Sequence, residues 1–417
     1  MPIFRRRPSP PSGPPPDELV GRSHRLGYRL QNGRYKSAPR SDATASTLLH
    51  LEAEPTWVRL VFVNDAAQPW SVTAASIAPT SEVGDGFAAV DANGRQDPRL
   101  WQAVTFSSGD AVAAPRSAEG ARSCDVPAGG GDGIALGYAL SDWMPLRALP
   151  RRDDGFGWLL QVRSHARGAM RFASAVGAPD PVIGRLHRSF VASGDLTAGG
   201  SAADLARDDT CFACHGLQYV APVAGATVVG IGDSIIHSSC TTGETSGFGL
   251  RACAMVSSAA CPVSYVSEGF PGRNSLGFCT NGIWAIDHLD PQVAIVVPWT
   301  RNEPWTQAMA DLAFARAVAV IEAARRKGCI PILTTAAPVC AADAATDAIR
   351  RDTNERVRAA GRNGTPVLDL DALWGRGTIP EAYRRGFDAG DHMHPNDRAN
   401  AVAAEHLAAM LRRLLGL

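Results

Sequence analysis

The sequence predicts an α/β domain, in which helices cover both faces of a parallel sheet, preceded by an all-β region. Two changes in pattern along the chain support this prediction. After Gly225, apolar runs of strand length alternate with longer segments of helical period, which is typical of a parallel sheet with crossover helices. Between Asp42 and Ala175, short strand-like runs separated by turn clusters predict a β-sandwich or jelly roll.

Composition and charge narrow the class of protein. The 417 residues suffice for two ordinary domains, and the 41 basic and 41 acidic residues balance without long blocks of one sign, so we expect no nucleic-acid partner. No apolar run reaches the roughly 18 residues of a membrane span. The Pro-rich tract from Met1 to Pro16 contains no apolar core of a signal peptide, which predicts a cytoplasmic protein. Nothing in the sequence indicates the oligomeric state.

These patterns divide the chain into four predicted segments. They are a disordered or extended arm (residues 1–41), a β-sandwich accessory domain (42–175), a connector with some helix (176–223) and the α/β domain (224–417). The strand candidates of the accessory domain are residues 57–63, 71–77, 101–106, 133–140 and 158–162.

In the α/β domain, five strands alternate with three long helices. The last helix opens on Pro395-Asn396-Asp397, in which the asparagine is a favourable N-cap. The predicted strands are residues 227–231, 263–266, 293–297, 330–335 and 367–370, and the predicted helices are residues 306–326, 343–360 and 396–415.

The first of these strands ends in Gly232-Asp233-Ser234. A β-branched run that stops at small residues indicates a buried parallel strand whose last residue lies at the carboxyl edge of the sheet, where open α/β sheets build their sites. A serine there becomes a nucleophile when a histidine takes its proton and a carboxylate orients that histidine. Asp391 and His394 supply both groups near the C-terminus. The chain is therefore predicted to be a serine hydrolase.

Two more strand ends offer groups that stabilise an oxyanion. The second strand runs into a turn with Gly269 and Gly272, where a glycine allows a ligand to approach the backbone. The third is followed by Asn302, whose side-chain amide is a candidate donor, and the N–H of Ser234 itself is another.

With these positions in order, residues 225–417 resemble the SGNH (GDSL-type) hydrolase family. Gly232-Asp233-Ser234 matches the first block of that family, and Asp391-x-x-His394 followed by proline matches the last. The resemblance implies a flavodoxin-like three-layer α/β fold. It also implies that Ser234 is the nucleophile and an oxyanion donor, that His394 is the general base and that Asp391 orients it.

The two middle blocks match less closely. The glycine of the second block falls on Gly272, with Gly269 as the competing alignment. The third block, usually Gly-x-Asn-Asp, is represented by residues 300–303, so that Asn302 would be the side-chain oxyanion donor and Thr300 and Glu303 depart from the pattern. The β-rich half also resembles the sandwich modules that precede this domain in some bacterial esterases acting on acetylated sugars.

The predicted activity is therefore a metal-independent serine esterase without a cofactor. Its substrate would be a small-molecule or carbohydrate ester, with acetyl as the expected acyl group. Two alternatives use the same region: an acyltransferase, and a carbohydrate-binding protein whose site is catalytically silent. Around the site, His392 and His237 are the competing histidines, and Trp299 and Arg301 are candidates for lining the pocket.

The nine cysteines are predicted to be mostly buried thiols. Alternatives are a disulfide between Cys211 and Cys214, or pairing among Cys240, Cys253, Cys261 and Cys279. Cys211-x-x-Cys214-His215 also has the spacing of a c-type haem attachment site, a redox thiol pair or half of a zinc site. Plain structural roles are favoured, because the motif lies on a short connector.

Overall fold

The computed structural model describes most of the chain. The described residues are 25–29, 42–64, 67–80, 89, 95–106, 123–129, 136–146, 158–167, 188–198, 206–207, 213–242, 246–339 and 342–417. The predicted arm before residue 25 and the residues between these ranges, Cys211 among them, lie outside the described residues. No helix in the described ranges has both the length and the apolar composition needed to cross a bilayer.

The N-terminal half forms two antiparallel sheets. The first has the order β1-β12-β3-β7, with β8 paired to β3, and the second has the order β11-β10-β2-β9-β4-β5, with β6 paired to β4. The strands are β1 (Arg25–Arg29), β2 (Ala43–Leu51), β3 (Trp57–Asn64), β4 (Trp70–Pro79), β5 (Gln102–Ala103), β6 (Cys124–Val126), β7 (Gly137–Leu140), β8 (Met144–Pro145), β9 (Trp158–Arg167), β10 (Arg188–Ser193), β11 (Ala206–Arg207) and β12 (Gly216–Val220).

The two sheets share one hydrophobic core. Leu60 and Phe62 of β3 in the first sheet belong to the same buried cluster as Leu49 of β2 and Val162 of β9 in the second. Each of these side chains is fully buried. The antiparallel pairing therefore places an apolar face of each sheet against the other, which is how such sheets remove apolar surface from water.

Some strands of this half lie outside the accessory domain of residues 42–175 that the sequence predicts. β1 lies in the predicted arm and pairs with β12, which lies in the predicted connector. The connector also contributes β10, which pairs with β2. These strands are short and join partners far away in the chain, so local patterning does not reveal them. The β region thus runs from Arg25 to Val220.

The C-terminal half is built on a five-stranded parallel sheet with the order β14-β13-β15-β16-β17. Its strands are β13 (Ala226–Gly232), β14 (Val263–Gly269), β15 (Val293–Val296), β16 (Ile330–Thr334) and β17 (Val367–Leu368). Its helices are α1 (Ser234–His237), α2 (Phe248–Val256), α3 (Ser275–Leu289), α4 (Gln307–Arg326), α5 (Ala344–Arg362), α6 (Leu370–Trp374) and α7 (Asp397–Leu415).

All five predicted strands and all three predicted helices of this half are confirmed, with small shifts at their ends. The helices α2 and α3 were not predicted. Asn396 caps α7 as expected, since its side chain accepts hydrogen bonds from the N–H groups of Arg398 and Ala399. Residue 370, predicted as the end of the last strand, begins α6 instead.

Helices cover both faces of the parallel sheet. Along β13, Val228 belongs to the cluster that contains Leu407 of α7, while Val229 belongs to the cluster that contains Phe278 of α3. Successive strand residues point to opposite faces, so β13 is buried on both sides. This explains why its sequence is a continuous apolar run.

The β region packs against α3 at a distance from the carboxyl edge of the sheet. Tyr138 stacks on Trp284 with ring centroids 3.6 Å apart, and the carbonyl of His288 accepts a hydrogen bond of 3.0 Å from Gln218 Nε2. Trp284 lies nine residues beyond the first residue of α3, Ser275, or about 14 Å along the helix. The contact with the β region and the start of α3 are therefore at different ends of one helix.

A buried ion network anchors α5. The Arg350 guanidinium is fully buried and donates to Asp347 at 2.8 Å and to Asp371 of α6 at 2.5 Å. It also donates to the carbonyl of Ala336 in the loop that follows β16. The network therefore joins α5, α6 and that loop.

We expect Arg350→Met to lower the free energy of unfolding by about 3 kcal/mol, because it leaves the buried carboxylate of Asp347 without its main partner. Urea denaturation followed by far-ultraviolet circular dichroism measures this change. Lys327→Met, which breaks an exposed ion pair with Asp287, is the control and should cost at most about 1 kcal/mol. Equal losses in the two variants would contradict a special role for the buried network.

Candidate active site

The Gly-Asp-Ser turn is shaped by packing at the end of β13. A Cβ added to Gly232 would lie 2.6 Å from a side-chain carbon of Ile236 and 2.7 Å from one of Val297, so the turn requires glycine. Asp233 caps the single turn α1 by accepting a hydrogen bond from the N–H of Ile235. Ser234 is the first residue of α1 and lies at the carboxyl edge of the sheet.

Ser234, His394 and Asp391 form one hydrogen-bonded chain. His394 Nε2 lies 2.8 Å from Ser234 Oγ, and His394 Nδ1 lies 2.5 Å from Asp391 Oδ2. A carboxylate only accepts, so Nδ1 of the neutral imidazole carries the proton and Nε2 is left to accept from the serine hydroxyl. The structure thus brings together three residues that the sequence separates by up to 160 positions.

The loop that carries Asp391 and His394 holds the carboxylate in its charged form. Partial burial acts to raise the pKa of Asp391, but hydrogen bonds from the His394 ring and from the N–H groups of His394 and Met393 outweigh it and lower that pKa to about 2. Tyr383 fixes the same loop by donating its hydroxyl to the carbonyl of Met393. Asp391 therefore stays ionised at any pH above about 3.

The competing histidines lie elsewhere. His392 Nδ1 pairs with Asp388 Oδ2 at 2.7 Å, and its side chain is 69% exposed. His237 is buried and lines the cavity described below, where its Nδ1 contacts Ser239 Oγ. In this structure, His394 is the histidine that contacts Ser234.

The two candidate glycines have different surroundings. A Cβ on Gly269 would lie 2.3 Å from the backbone nitrogen of His237, so this glycine allows β14 to pack closely on α1. Gly272 has a φ of +78°, which favours glycine, and it lines the cavity beside Ser234. The structure therefore associates Gly272, and not Gly269, with the cavity.

The loop after β15 is tied to both neighbouring loops. Thr300 Oγ1 donates to Asp233 Oδ2 at 2.5 Å, and Asn302 Nδ2 donates to the carbonyl of Arg273 at 3.0 Å. Burial raises the pKa of Asp233, although hydrogen bonds from Thr300 and from the N–H of Ile235 act to lower it. Each amide nitrogen carries two protons, so Asn302 keeps one for a ligand after it has bonded to Arg273.

Glu303 was not expected to have a role of its own. Its buried carboxylate accepts hydrogen bonds from the Ser275 hydroxyl at 2.5 Å and from Arg316 Nη1 at 3.2 Å. Burial also raises the pKa of Glu303. The two departures from the expected third block thus hold loops together: Thr300 contacts the Gly-Asp-Ser turn, and Glu303 contacts the first residue of α3.

A cavity of about 300 Å³ opens beside Ser234 and His394. Trp299 and Arg301, predicted to line a pocket, both lie on its wall. The indole nitrogen of Trp299 and the hydroxyl of Thr334, another lining residue, are buried without a hydrogen-bond partner among the described residues. Every lining residue lies between positions 233 and 394, so no described residue of the β region contributes to the wall.

A cysteine that the sequence analysis did not connect with the site lies beside it. Cys240 Sγ is 3.6 Å from Asp391 Oδ2 and 3.6 Å from His394 Nδ1. No short sequence motif indicates this contact, because Cys240 lies 151 residues before Asp391 in the chain.

Five of the cysteines that were considered for disulfides form no disulfide bond: Cys214, Cys240, Cys253, Cys261 and Cys279. Cys214 is fully buried in the core of the β region, and this burial raises the pKa of its thiol to about 12. His215 Nδ1 accepts a hydrogen bond from the N–H of Val63. Cys214 and His215 therefore have packing roles in the β region.

Comparison with solved structures finds similar chains over slightly less than half of this protein. One is a putative lipolytic protein of the G-D-S-L family from Desulfitobacterium hafniense, with 16% identity, covering 45% of this chain and 99% of its own, at a TM-score of 0.36. Another is a putative acylhydrolase from Bacteroides fragilis, with 19% identity, coverages of 46% and 88%, and a TM-score of 0.37. A third is an acetyl xylan esterase, with 18% identity, coverages of 44% and 99%, and a TM-score of 0.37.

No protein-family model matches the chain, and no curated protein matches it. The chain's resemblance to the SGNH (GDSL-type) hydrolases rests on Gly232-Asp233-Ser234 and Asp391-x-x-His394, and the similar solved structures include a chain described as a member of the G-D-S-L family.

Proposed function

We propose that this protein is a GDSL-type serine esterase that hydrolyses small acyl esters. One observation carries the proposal: the hydroxyl of Ser234 faces Nε2 of a histidine whose Nδ1 is held by an ionised carboxylate, at the mouth of a cavity. A serine hydroxyl is a weak nucleophile until a base of this kind accepts its proton.

In the proposed reaction, His394 accepts the proton of Ser234 as Oγ attacks the ester carbonyl. The negative charge that develops on the carbonyl oxygen is stabilised by the N–H groups of Ser234 and Gly272 and by the side-chain amide of Asn302. His394 then donates its proton to the departing alcohol, which leaves an acyl group on Ser234. Water activated by His394 releases the acid, while the charge of Asp391 stabilises the imidazolium in both halves of the reaction.

The cavity supports a small substrate. Its volume of about 300 Å³ is at the lower end of the range for ligand sites, which favours an acyl group as small as acetyl. The buried polar atoms of Trp299 and Thr334 offer hydrogen bonds to a polar substrate. An ester of a carbohydrate hydroxyl has this chemistry, and we propose it as the substrate class.

We also propose that the two halves of the chain have different roles. When the strands of the parallel sheet are numbered along the chain, their order is 2-1-3-4-5. This is the strand order of a flavodoxin-like fold, and we assign it to a catalytic domain that begins near residue 224. The two antiparallel sheets make an accessory β-sandwich, extended to Arg25–Val220 from the 42–175 predicted by sequence. Its contacts with Trp284 and His288 support a role in holding α3.

The nucleophile is tested with a fluorophosphonate probe. We expect intact mass spectrometry to find one adduct on the wild-type protein and none on Ser234→Ala, because only a serine paired with a base reacts. Hydrolysis of p-nitrophenyl acetate should fall at least about a thousandfold. Ser258→Ala, at an exposed serine in the loop between α2 and β14, is the control and should keep the adduct. A folded wild-type protein without an adduct would favour a silent binding protein.

The assignment of the base is tested by the neighbouring histidines. We expect His394→Ala to reduce hydrolysis at least about a thousandfold and His392→Ala to change it by no more than about twofold. Asp391, whose pKa of about 2 keeps it ionised, should contribute no change of the wild-type rate with pH above about pH 3. Rates measured against pH for the three proteins check both statements; equal losses in the two variants would contradict them.

The oxyanion donor is tested at Asn302. We expect Asn302→Ala to reduce kcat by about a hundredfold or more with little change in KM, because the amide acts only on the developing charge. Asn363→Ala, at the exposed C-terminal end of α5, is the control. A large rise in KM with kcat unchanged would instead indicate that Asn302 binds the ground-state substrate.

A further inference from the structure

We propose that Cys240, Asp391 and His394 form a binding site for Zn²⁺ and that the ion switches off the esterase. The inhibitory part of this inference rests on the proposed function, whereas the binding part does not. Within the described residues, these three side chains form the one group of at least three metal-ligating atoms that lie within 4.8 Å of one another. They combine a thiol, an imidazole and a carboxylate.

Two of the three distances between the ligand atoms already fit a tetrahedrally coordinated ion. Bond lengths of about 2.3 Å to sulfur, 2.05 Å to nitrogen and 2.1 Å to oxygen place sulfur about 3.6 Å from each of the other two ligand atoms. Both sulfur distances, from Cys240 Sγ to His394 Nδ1 and to Asp391 Oδ2, are 3.6 Å. The Nδ1–Oδ2 distance of 2.5 Å must open to about 3.4 Å, as it does when the proton between them is replaced by an ion.

The loop that carries Cys240 is fastened near the site through Thr242, two residues further along the chain. The N–H of Thr242 donates to Asp397 Oδ1 at 2.9 Å, and its hydroxyl donates to Asp397 Oδ2 at 2.5 Å. Asp397 begins α7, three residues after His394. The loop with Cys240 and the loop with Asp391 and His394 are therefore fastened to the same helix end, and Cys240 is exposed, so that an ion can enter from solvent.

The chemistry of the three ligands selects the metal. A thiolate and an imidazole prefer Zn²⁺ over Mg²⁺ or Ca²⁺, which bind oxygen ligands. The thiolate and the Asp391 carboxylate together cancel the charge of a divalent ion. A water molecule from the exposed side completes the four positions that Zn²⁺ takes in proteins.

Binding at Nδ1 stops the proposed reaction without filling the cavity. The ion takes the Nδ1 lone pair, so the imidazole proton moves from Nδ1 to Nε2, and the thiol proton of Cys240 is released to solvent. With Nε2 protonated, His394 faces Ser234 as a donor and accepts no proton from it. One proton is thus released for each ion bound, and the base is lost.

The binding site is tested with Co²⁺, a spectroscopic substitute for Zn²⁺. We expect titration of the metal-free protein with Co²⁺ to produce a near-ultraviolet thiolate-to-cobalt absorption band that Zn²⁺ removes. The band should be absent in Cys240→Ala and in Cys240→Ser. Cys261→Ala, which removes a thiol elsewhere in the domain, should keep it. Absence of the band in the wild-type protein, or its persistence in both Cys240 variants, would overturn the inference.

The switch is tested by hydrolysis of p-nitrophenyl acetate at increasing Zn²⁺, with each variant normalised to its own metal-free rate. Zn²⁺ should inhibit the wild type reversibly, with activity restored by EDTA, and Cys240→Ala should need at least about tenfold more ion for half inhibition. Equal inhibition of both proteins would overturn the switch. A metal-free wild type without activity would contradict the proposed esterase, while the cobalt band would still decide the metal site.

Discussion

The buried carboxylate of Asp233 is the constraint on which the geometry of the site depends. One of its oxygens holds the first turn of α1, and the other holds the loop after β15 through Thr300. Asp233 is only 5% exposed, so each bond forms where water does not compete and where its loss would leave an unpaired polar group. Ser234 and Asn302 adjoin these two anchor points. The Asp233 side chain therefore links the turn of the proposed nucleophile directly to the loop of the proposed oxyanion donor.

The α/β half was predictable because local pattern and packing agree there. β13 is apolar throughout because both of its faces are covered, and α4, which begins at Gln307, is capped by Thr306. α3 was missed because it contains glycines that weaken a helix locally. A Cβ on Gly282 would lie 2.4 Å from Ile231, so this glycine serves the close approach of α3 to the sheet. The glycine is needed for a tertiary contact, which leaves no local pattern in the sequence.

The residues at the site also fall into two groups, those that the local sequence indicates and those that it does not. Ser234, Asp391 and His394 could be selected from sequence because few residue types perform nucleophilic catalysis, and each lies at the boundary of a recognisable element. Cys240 and Glu303 could not be selected, since their contacts arise when distant loops meet: Cys240 reaches Asp391 across 151 positions. The pairing of β1 with β12 escaped prediction for the same reason. Features that depend on neighbouring residues could be predicted from the sequence, and contacts between distant segments could not.

The segment from Asp388 to His394 contains two carboxylate–imidazole pairs of the same kind. Asp388 holds His392 as Asp391 holds His394, each through Nδ1. The pairs differ in what the far nitrogen meets: His394 presents it to Ser234, while the side chain of His392 is largely exposed to water. A single loop thus contains two aspartate–histidine pairs, and the ring of His394 in the second pair also contacts the hydroxyl of Ser234.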